Sequence, residues 1–208
     1  MNFFEQPPAP QPAEEPFEQK PWFGSPRNEI GASTGLRLVL ARTDDVALAV
    51  IDVVAFTTGA SLNLVALRRT PGEPGTFDHP FGHFWLPTHK GRELPPELLR
   101  FGVEFSDGGK ATTVGGHAAT LAAEGEPRGP ILSPSGGSGS DDYWESSFWL
   151  WPLPSPGPLA FVVEWPAERI ELTRHEVDAA PIIEASQRSE ALWPAGPRKS
   201  AGASWTDH

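Results

Sequence analysis

The chain has 208 residues, including Gly 21 and Pro 24, and a formal net charge of -11. So much glycine and proline excludes a helical bundle, whereas 38% hydrophobic residues and Trp 8 exclude a wholly disordered chain. Because acidic side chains outnumber basic ones, the surface would repel a phosphate backbone or anionic lipid, and we expect neither nucleic acid nor a membrane as partner.

Cysteine is absent from the sequence, which excludes a disulfide framework, a thiolate nucleophile and a cysteine-ligated metal centre. The first residues lack the basic and apolar regions of a secretory signal. The longest apolar stretch, 46–56, is about half of the roughly 20 residues that span a bilayer. We therefore expect a cytoplasmic protein, and no motif predicts a cofactor.

Glycine and proline divide the chain into framework and connections. Residues 1–30 are predicted to be a disordered, proline-rich acidic tail, and 195–208 a second disordered tail. Residues 31–194 form the predicted domain, with long loops at 71–96 and 115–140. Most glycine and proline lies outside 36–69, 97–114 and 159–178, so these three segments are the expected framework.

The first motif is the G-x-S-x-G string formed by Gly31, Ser33 and Gly35. A hydrolase nucleophile elbow needs a strand before the serine and a helix after it. Here a proline-rich segment precedes the motif and an alternating apolar segment follows it. The pattern therefore favours a plain loop leading into a strand.

Strands are predicted next, at 36–40, 46–56 and 62–67. The second of these is apolar at nearly every position, which predicts a strand buried on both faces or one that crosses a bulge. Gly59 separates it from the third strand, with which it can form a hairpin. The acidic pair Asp44 and Asp45 lacks calcium-loop spacing and is expected in a solvated turn.

Three histidines, His79, His83 and His89, follow in the predicted loop and could ligate zinc together with a carboxylate. Pro80 and Gly82 prevent the helical spacing that usually brings such ligands together. The alternative is a set of exposed histidines that titrate near neutral pH.

Residues 99–105 and 159–165 alternate between large apolar and polar side chains, which is the period of a half-buried strand. A turn at Asp107 leads to a strand at 110–114, and a corner at Pro166 leads to one at 170–174. Glu104 and Glu164 lie on the polar faces of these strands. They could form an acid and base pair, or simply face solvent.

The most unusual string is the aromatic stretch 143–151. Trp149 and Trp151 lie on one side of a strand, and Phe148 and Leu150 on the other, so both faces are bulky. One face must then be exposed or covered by another segment. Exposed tryptophan suits a sugar ring or a proline-rich ligand, including the chain's own N-terminal tail, whereas core packing is the alternative.

One helix is predicted, beginning near Asp178 and ending before Pro194. Ile182 and Ala185 lie on its apolar side, and Glu184 and Arg188 form an i,i+4 pair on the other side.

The strings at 149–159, 161–166, 178–182 and 192–194 carry the motifs W-x-W-P-L-P-x-P-G-P-L, F-V-x-E-W-P, D-A-A-P-I and L-W-P. In these motifs the chain resembles an uncharacterised family of actinobacterial proteins. The resemblance covers about half of the chain and implies no activity, cofactor or site residue.

Together these patterns predict an all-β, antiparallel β-sandwich of about seven to nine strands, immunoglobulin-like in style, with one short C-terminal helix. The predicted function is a non-catalytic binding or protein-interaction module with an aromatic recognition strand that carries Trp144, Trp149 and Trp151. Its partner would be another protein, or a proline-rich or sugar-like ligand. The alternatives are a hydrolase or lyase, using Glu104 with Glu164 or the histidine loop, and a structural subunit of a cytoplasmic assembly.

Overall fold

The computed structural model describes residues 19–70, 94–114 and 125–194. Within these ranges the chain forms two antiparallel sheets packed face to face, a two-stranded ribbon and one α-helix. The predicted all-β sandwich with one short helix is confirmed. No helix in the described ranges has the length and apolarity needed to cross a membrane.

The larger sheet has β5 at its centre, between β4 and β9. Two short strands, β2 and β3, pair one after the other along the free edge of β4, and β8 pairs with β9 at the opposite edge. The bounds are β2 (Ala32–Ser33), β3 (Leu38–Arg42), β4 (Val46–Ala55), β5 (Ala60–Arg68), β8 (Ile131–Gly139) and β9 (Tyr143–Trp151). The β4–β5 register shifts between Val50 and Asp52, so the apolar strand crosses a bulge as predicted.

The smaller sheet has the order β11-β10-β6-β7. Its strands are β6 (Arg100–Glu104), β7 (Lys110–Thr112), β10 (Pro158–Trp165) and β11 (Ile170–Asp178). Gly108, with a φ of 84°, makes the predicted turn between β6 and β7. A 3-10 turn at Pro166–Glu168 makes the predicted corner before β11.

The helix is shorter than predicted. It runs over Ala180–Ser186 (α1) and buries Ile182 and Ala185, as its apolar pattern indicated. The chain then turns and forms β12 (Glu190–Ala191), which pairs with β1 (Glu29–Ile30). The prediction that the helix extends almost to Pro194 is wrong, because this backbone pairing replaces the helical hydrogen bonds.

Two predicted connections contain more structure than their composition indicated. Within the predicted loop 115–140, residues 131–139 form β8, since glycine and serine lack apolar side chains but still supply backbone hydrogen bonds. Residues 19–30, which the composition assigned to the tail, contain a 3-10 turn at Pro21–Phe23 and β1. Residues 1–18 and 195–208 lie outside the described residues, as do 71–93 of the other predicted loop.

The core lies between the inner faces of the two sheets. Phe148 of β9 meets Phe101 of β6 at a ring-centroid distance of 5.7 Å, and Phe101 stacks on Phe161 of β10 at 6.3 Å. All three rings are at least 98% buried. This aromatic contact therefore joins the larger sheet to the smaller one at the centre of the molecule.

A side-chain hydrogen bond ties the two sheets together at one edge. Nε2 of His175 on β11 lies 2.6 Å from the carbonyl oxygen of Leu40 on β3. The β3–β4 register skips the buried residue Leu40, so His175 supplies a donor where the ladder is irregular.

We expect His175→Leu to lower the free energy of unfolding by about 1 to 3 kcal/mol, because the Leu40 carbonyl loses its donor. His175→Gln keeps an N–H donor on a side chain of similar reach and should retain most of the stability. Urea unfolding of the two variants checks this, and equal losses would mean that the hydrogen bond contributes nothing.

Arg169 is the one non-glycine residue of the described ranges with a left-handed backbone, at φ 56°. We expect Arg169→Gly to raise the free energy of unfolding by about 0.5 to 1 kcal/mol, since glycine adopts this conformation without a Cβ clash. Arg169→Ala keeps the clash and should give no gain. Thermal and urea unfolding of both variants measure the difference, and a matching gain in Arg169→Ala would refute this explanation.

Candidate functional site

The strand β9 separates its tryptophans onto two faces. Trp144, Phe148 and Leu150 point into the core, whereas Trp149 and Trp151 point away from it because side chains alternate along a strand. The guanidinium carbon of Arg68 lies 5.7 Å from the Trp144 ring centroid. Trp144 therefore lies on the opposite face of β9 from Trp149 and Trp151, and the binding role predicted for these residues stays a prediction.

Trp149 lies on the outer face and is nevertheless only 1% exposed. Its indole Nε1 donates a hydrogen bond to the carbonyl oxygen of Pro21, at 2.9 Å. The Phe56 ring packs edge-on against it, with centroids 5.7 Å apart. The outer face is thus covered here by the chain's own N-terminal part.

Trp151 is half-buried and is covered from the same side. The ring of Trp22 meets it edge-on at a centroid distance of 5.7 Å, and Phe23 adjoins Trp22 at 6.1 Å. We call Phe56, Trp149 and Trp151 the aromatic site, and residues 19–25 the N-terminal segment.

The N-terminal segment is held in shape by its own hydrogen bonds. The Phe23 amide donates to the Lys20 carbonyl at 3.0 Å, which closes the 3-10 turn. The Gln19 side-chain amide donates to the Ser25 carbonyl at 3.1 Å. Pro21, at the first position of the turn, has its φ fixed by the ring, and its carbonyl remains free to accept from Trp149.

The floor under Trp149 is formed by Gly59. A Cβ atom at this position would lie 2.5 Å from the Leu150 carbonyl oxygen and 2.5 Å from Cζ2 of Trp149. Only glycine lets the indole lie this close to the β4–β5 turn.

Glu104 and Glu164 do not form a pair. The β10–β6 register places Glu104 opposite Ala160 and Glu164 opposite Arg100. The two carboxylates are therefore on one face but four residues apart along β10, or about 13 Å. The predicted acid and base pair is wrong, because the strand register keeps its members apart.

Each of these carboxylates instead has a cationic neighbour. Glu104 accepts from Arg174 at 2.5 Å and lies 3.7 Å from Lys110, while Glu164 pairs with Arg100. They belong to a charged outer face of the smaller sheet.

The remaining catalytic candidates form no catalytic arrangement within the described residues. Ser33 of the G-x-S-x-G string donates to Asp52 at 2.7 Å and is followed by β3 rather than a helix, so the elbow is absent. No group of three or more potential metal ligands occurs within 19–70, 94–114 and 125–194. His79, His83 and His89 lie outside those ranges.

Tyr143, at the start of β9, is a weaker acid than an ordinary tyrosine. Burial, followed by the Glu145 carboxylate 3.3 Å from its hydroxyl, raises the pKa of Tyr143 above its ordinary value. The phenol therefore keeps its proton at neutral pH.

Comparison with known proteins adds no relative: no family model, no curated protein and no solved structure matches the chain. The resemblance to actinobacterial proteins and the immunoglobulin-like style remain predictions.

Sequence patterns indicated the aromatic residues of β9 and named the N-terminal tail as a possible ligand, but they did not single out Pro21, Trp22 or Phe56. The first two come from a segment more than a hundred residues away in the chain, so no local period could link them to β9. The one available signal was composition, since a proline next to a tryptophan in an acidic tail is an apolar pair that favours burial.

We expect Gly59→Ala to lower the free energy of unfolding by about 1 to 3 kcal/mol, because the new methyl group must displace backbone or the Trp149 ring. Gly136→Ala on β8 is the matched control, since a Cβ atom there meets nothing within 4 Å. Urea unfolding followed by tryptophan fluorescence checks both variants, and a similar small change in each would contradict the close packing at Gly59.

Proposed function

We propose that the protein is a non-catalytic binding module whose aromatic site recognises a proline-containing peptide segment, and that its own N-terminal segment occupies this site in the isolated chain. The observation that carries the proposal is the hydrogen bond from Trp149 to the Pro21 carbonyl, with Trp22 packed on Trp151. A partner protein would present a similar segment.

The geometry favours a peptide over a sugar. The segment that covers Trp149 is itself a peptide, and its Pro21 carbonyl accepts the hydrogen bond of the indole. Aromatic grooves that bind proline-rich peptides combine ring contacts with a donor aimed at a peptide carbonyl. Trp149 supplies both, because its ring packs and its N–H donates.

Several features argue against catalysis as the main activity. Glu104 and Glu164 are far apart and each has an arginine partner. Ser33 bonds to Asp52 outside an elbow, and the pKa of the Tyr143 phenol is raised. Within the described residues, the histidine on a strand, His175, is engaged by a backbone carbonyl.

Because the N-terminal segment covers the aromatic site, a partner peptide has to compete with it for binding. A short connection gives a tethered segment an effective concentration of about millimolar, so a free peptide must displace it. The wild-type chain should therefore bind such peptides weakly, and a chain with a weakened segment should bind them better.

The test uses full-length protein and a fluorescently labelled peptide with the sequence QKPWFGSP, which corresponds to residues 19–26. We expect Trp22→Ala, which loses the ring that covers Trp151, to bind this peptide about tenfold more tightly than the wild type in an anisotropy titration. Adding Trp149→Phe removes the indole donor and should weaken binding several-fold.

Two controls separate recognition from simple exposure of apolar surface. The peptide QKPAFGSP lacks the tryptophan and should bind at least several-fold more weakly to Trp22→Ala. Leu172→Ala changes an exposed apolar residue on β11, away from the aromatic site, and should leave peptide binding unchanged. Failure of the folded Trp22→Ala protein to bind QKPWFGSP, or equal binding of both peptides, would contradict the proposal.

A further inference from the structure

A hollow of about 440 Å³ opens between the two sheets and is lined by Arg42, Thr43, Asp44, Asp45 and Arg169. Arg42 ends β3, the next three residues form the turn into β4, and Arg169 lies in the turn between β10 and β11. The hollow is therefore built from both sheets. Its volume falls within the range of about 300 to 1,000 Å³ that is usual for small-ligand sites. It is open to solvent, and its four charged residues are exposed.

One wall of the hollow is held by a hydrogen-bonded turn. The Thr43 amide donates to the Val46 carbonyl at 2.8 Å, and the Thr43 hydroxyl accepts from the Val46 amide at 3.0 Å. The Asp45 carbonyl accepts from the amide of Arg69, the residue that follows β5, at 2.7 Å. The backbone of Asp44 and Asp45 is thus fixed at both ends and against the neighbouring strand.

The charges in the hollow are not paired with one another. Neither Arg42 nor Arg169 makes a salt bridge within the described part of the chain, although Asp44 and Asp45 line the same hollow. Other strand arginines, such as Arg100 and Arg174, do pair with glutamates. The hollow therefore presents two guanidinium groups and two carboxylates that are available to a ligand.

Arg169 has a long charged side chain at a position whose left-handed backbone conformation favours glycine. Its left-handed conformation, at φ 56° and ψ 31°, is strained for any residue with a Cβ atom. Strained residues concentrate at ligand-binding positions, where the side chain matters more than the local conformational cost. The Arg169 amide also donates to the Pro166 carbonyl at 3.0 Å, so the same conformation closes the 3-10 turn.

We infer that this hollow binds a small zwitterion: Arg42 and Arg169 hold its carboxylate or phosphate, and Asp44 and Asp45 hold its ammonium group. Guanidinium groups form paired hydrogen bonds with planar anions, and carboxylates accept from an ammonium ion. A simple anion fits less well, because the chain's net charge of -11 repels it and the two carboxylates lie beside it.

The test is a titration of the ¹⁵N-labelled full-length protein, followed through the amide resonances of residues 43–46 and 169–170. The probes are γ-aminobutyrate and phosphoethanolamine as zwitterions, with acetate, inorganic phosphate and ethylamine as their separate charged parts. We expect saturable shifts of these resonances for at least one zwitterion, with a dissociation constant in the millimolar range. This constant should be about tenfold lower than that of any probe whose charge is of one sign. The better zwitterion identifies the anionic group.

Arg169→Gly gives two readouts of opposite sign. It should raise the melting temperature, because the backbone strain is relieved, and it should weaken zwitterion binding at least about tenfold. Arg42→Gln should weaken binding similarly, whereas Arg37→Gln, an exposed arginine outside the hollow, should not. The inference is overturned by three results: no saturable shift, equal binding of phosphate or acetate, or undiminished binding in Arg169→Gly.

Discussion

The packing of the molecule depends on one constraint, which is that β9 carries large aromatic side chains on both faces. A central strand with one polar face can leave that face to water, but β9 cannot. Phe148 on the inner face is covered by Phe101 of the smaller sheet, and Trp149 on the outer face is covered by Pro21. The second sheet and the N-terminal segment thus meet the same requirement from opposite sides.

The two coverings differ in kind. The inner face of the larger sheet is closed by many apolar side chains from four strands of the smaller sheet and from α1, which makes it part of the core. The outer face is closed by a short turn that makes one hydrogen bond to Trp149 and one ring contact with Trp151. A covering of this size contributes little compared with the core, and this difference is what the proposed exchange for a partner segment requires.

Charge has a different role on the smaller sheet. Glu104, Arg174 and Lys110 form one cluster on its outer face, and Arg100 with Glu164 forms another. Such partly exposed pairs contribute about 1 kcal/mol or less each. Their main effect is to make the outer face of the smaller sheet polar, while the inner face of the same sheet packs in the core. The two glutamates therefore alternate with apolar residues in the sequence.

The two-residue alternation of apolar and polar side chains predicted most of the strands, because it directly reflects which face of a strand is buried. It identified β6 and β10, and it also contained the information that Trp144 faces the core, since Trp144, Phe148 and Leu150 are separated by even numbers of residues. It missed β8, whose glycine and serine residues pair through backbone alone. It could not find the contact between Pro21 and Trp149, because a contact across 128 positions leaves no periodic trace.

The larger sheet separates its two candidate sites. In the β4–β5 register, Ala55 pairs with Ala60 at the end that carries the aromatic site, and Val46 pairs with Arg68 at the end that carries the charged hollow. The nine residues of β5 span about 27 Å between these ends, which is several Debye lengths at physiological salt. Charge changes in the hollow should therefore leave peptide binding unaffected. Any coupling between the two sites would have to pass through the strands themselves, whose inner faces are fixed by Phe101, Phe148 and Phe161. A core packed in this way resists small displacements, so the two proposed binding sites should act independently of each other.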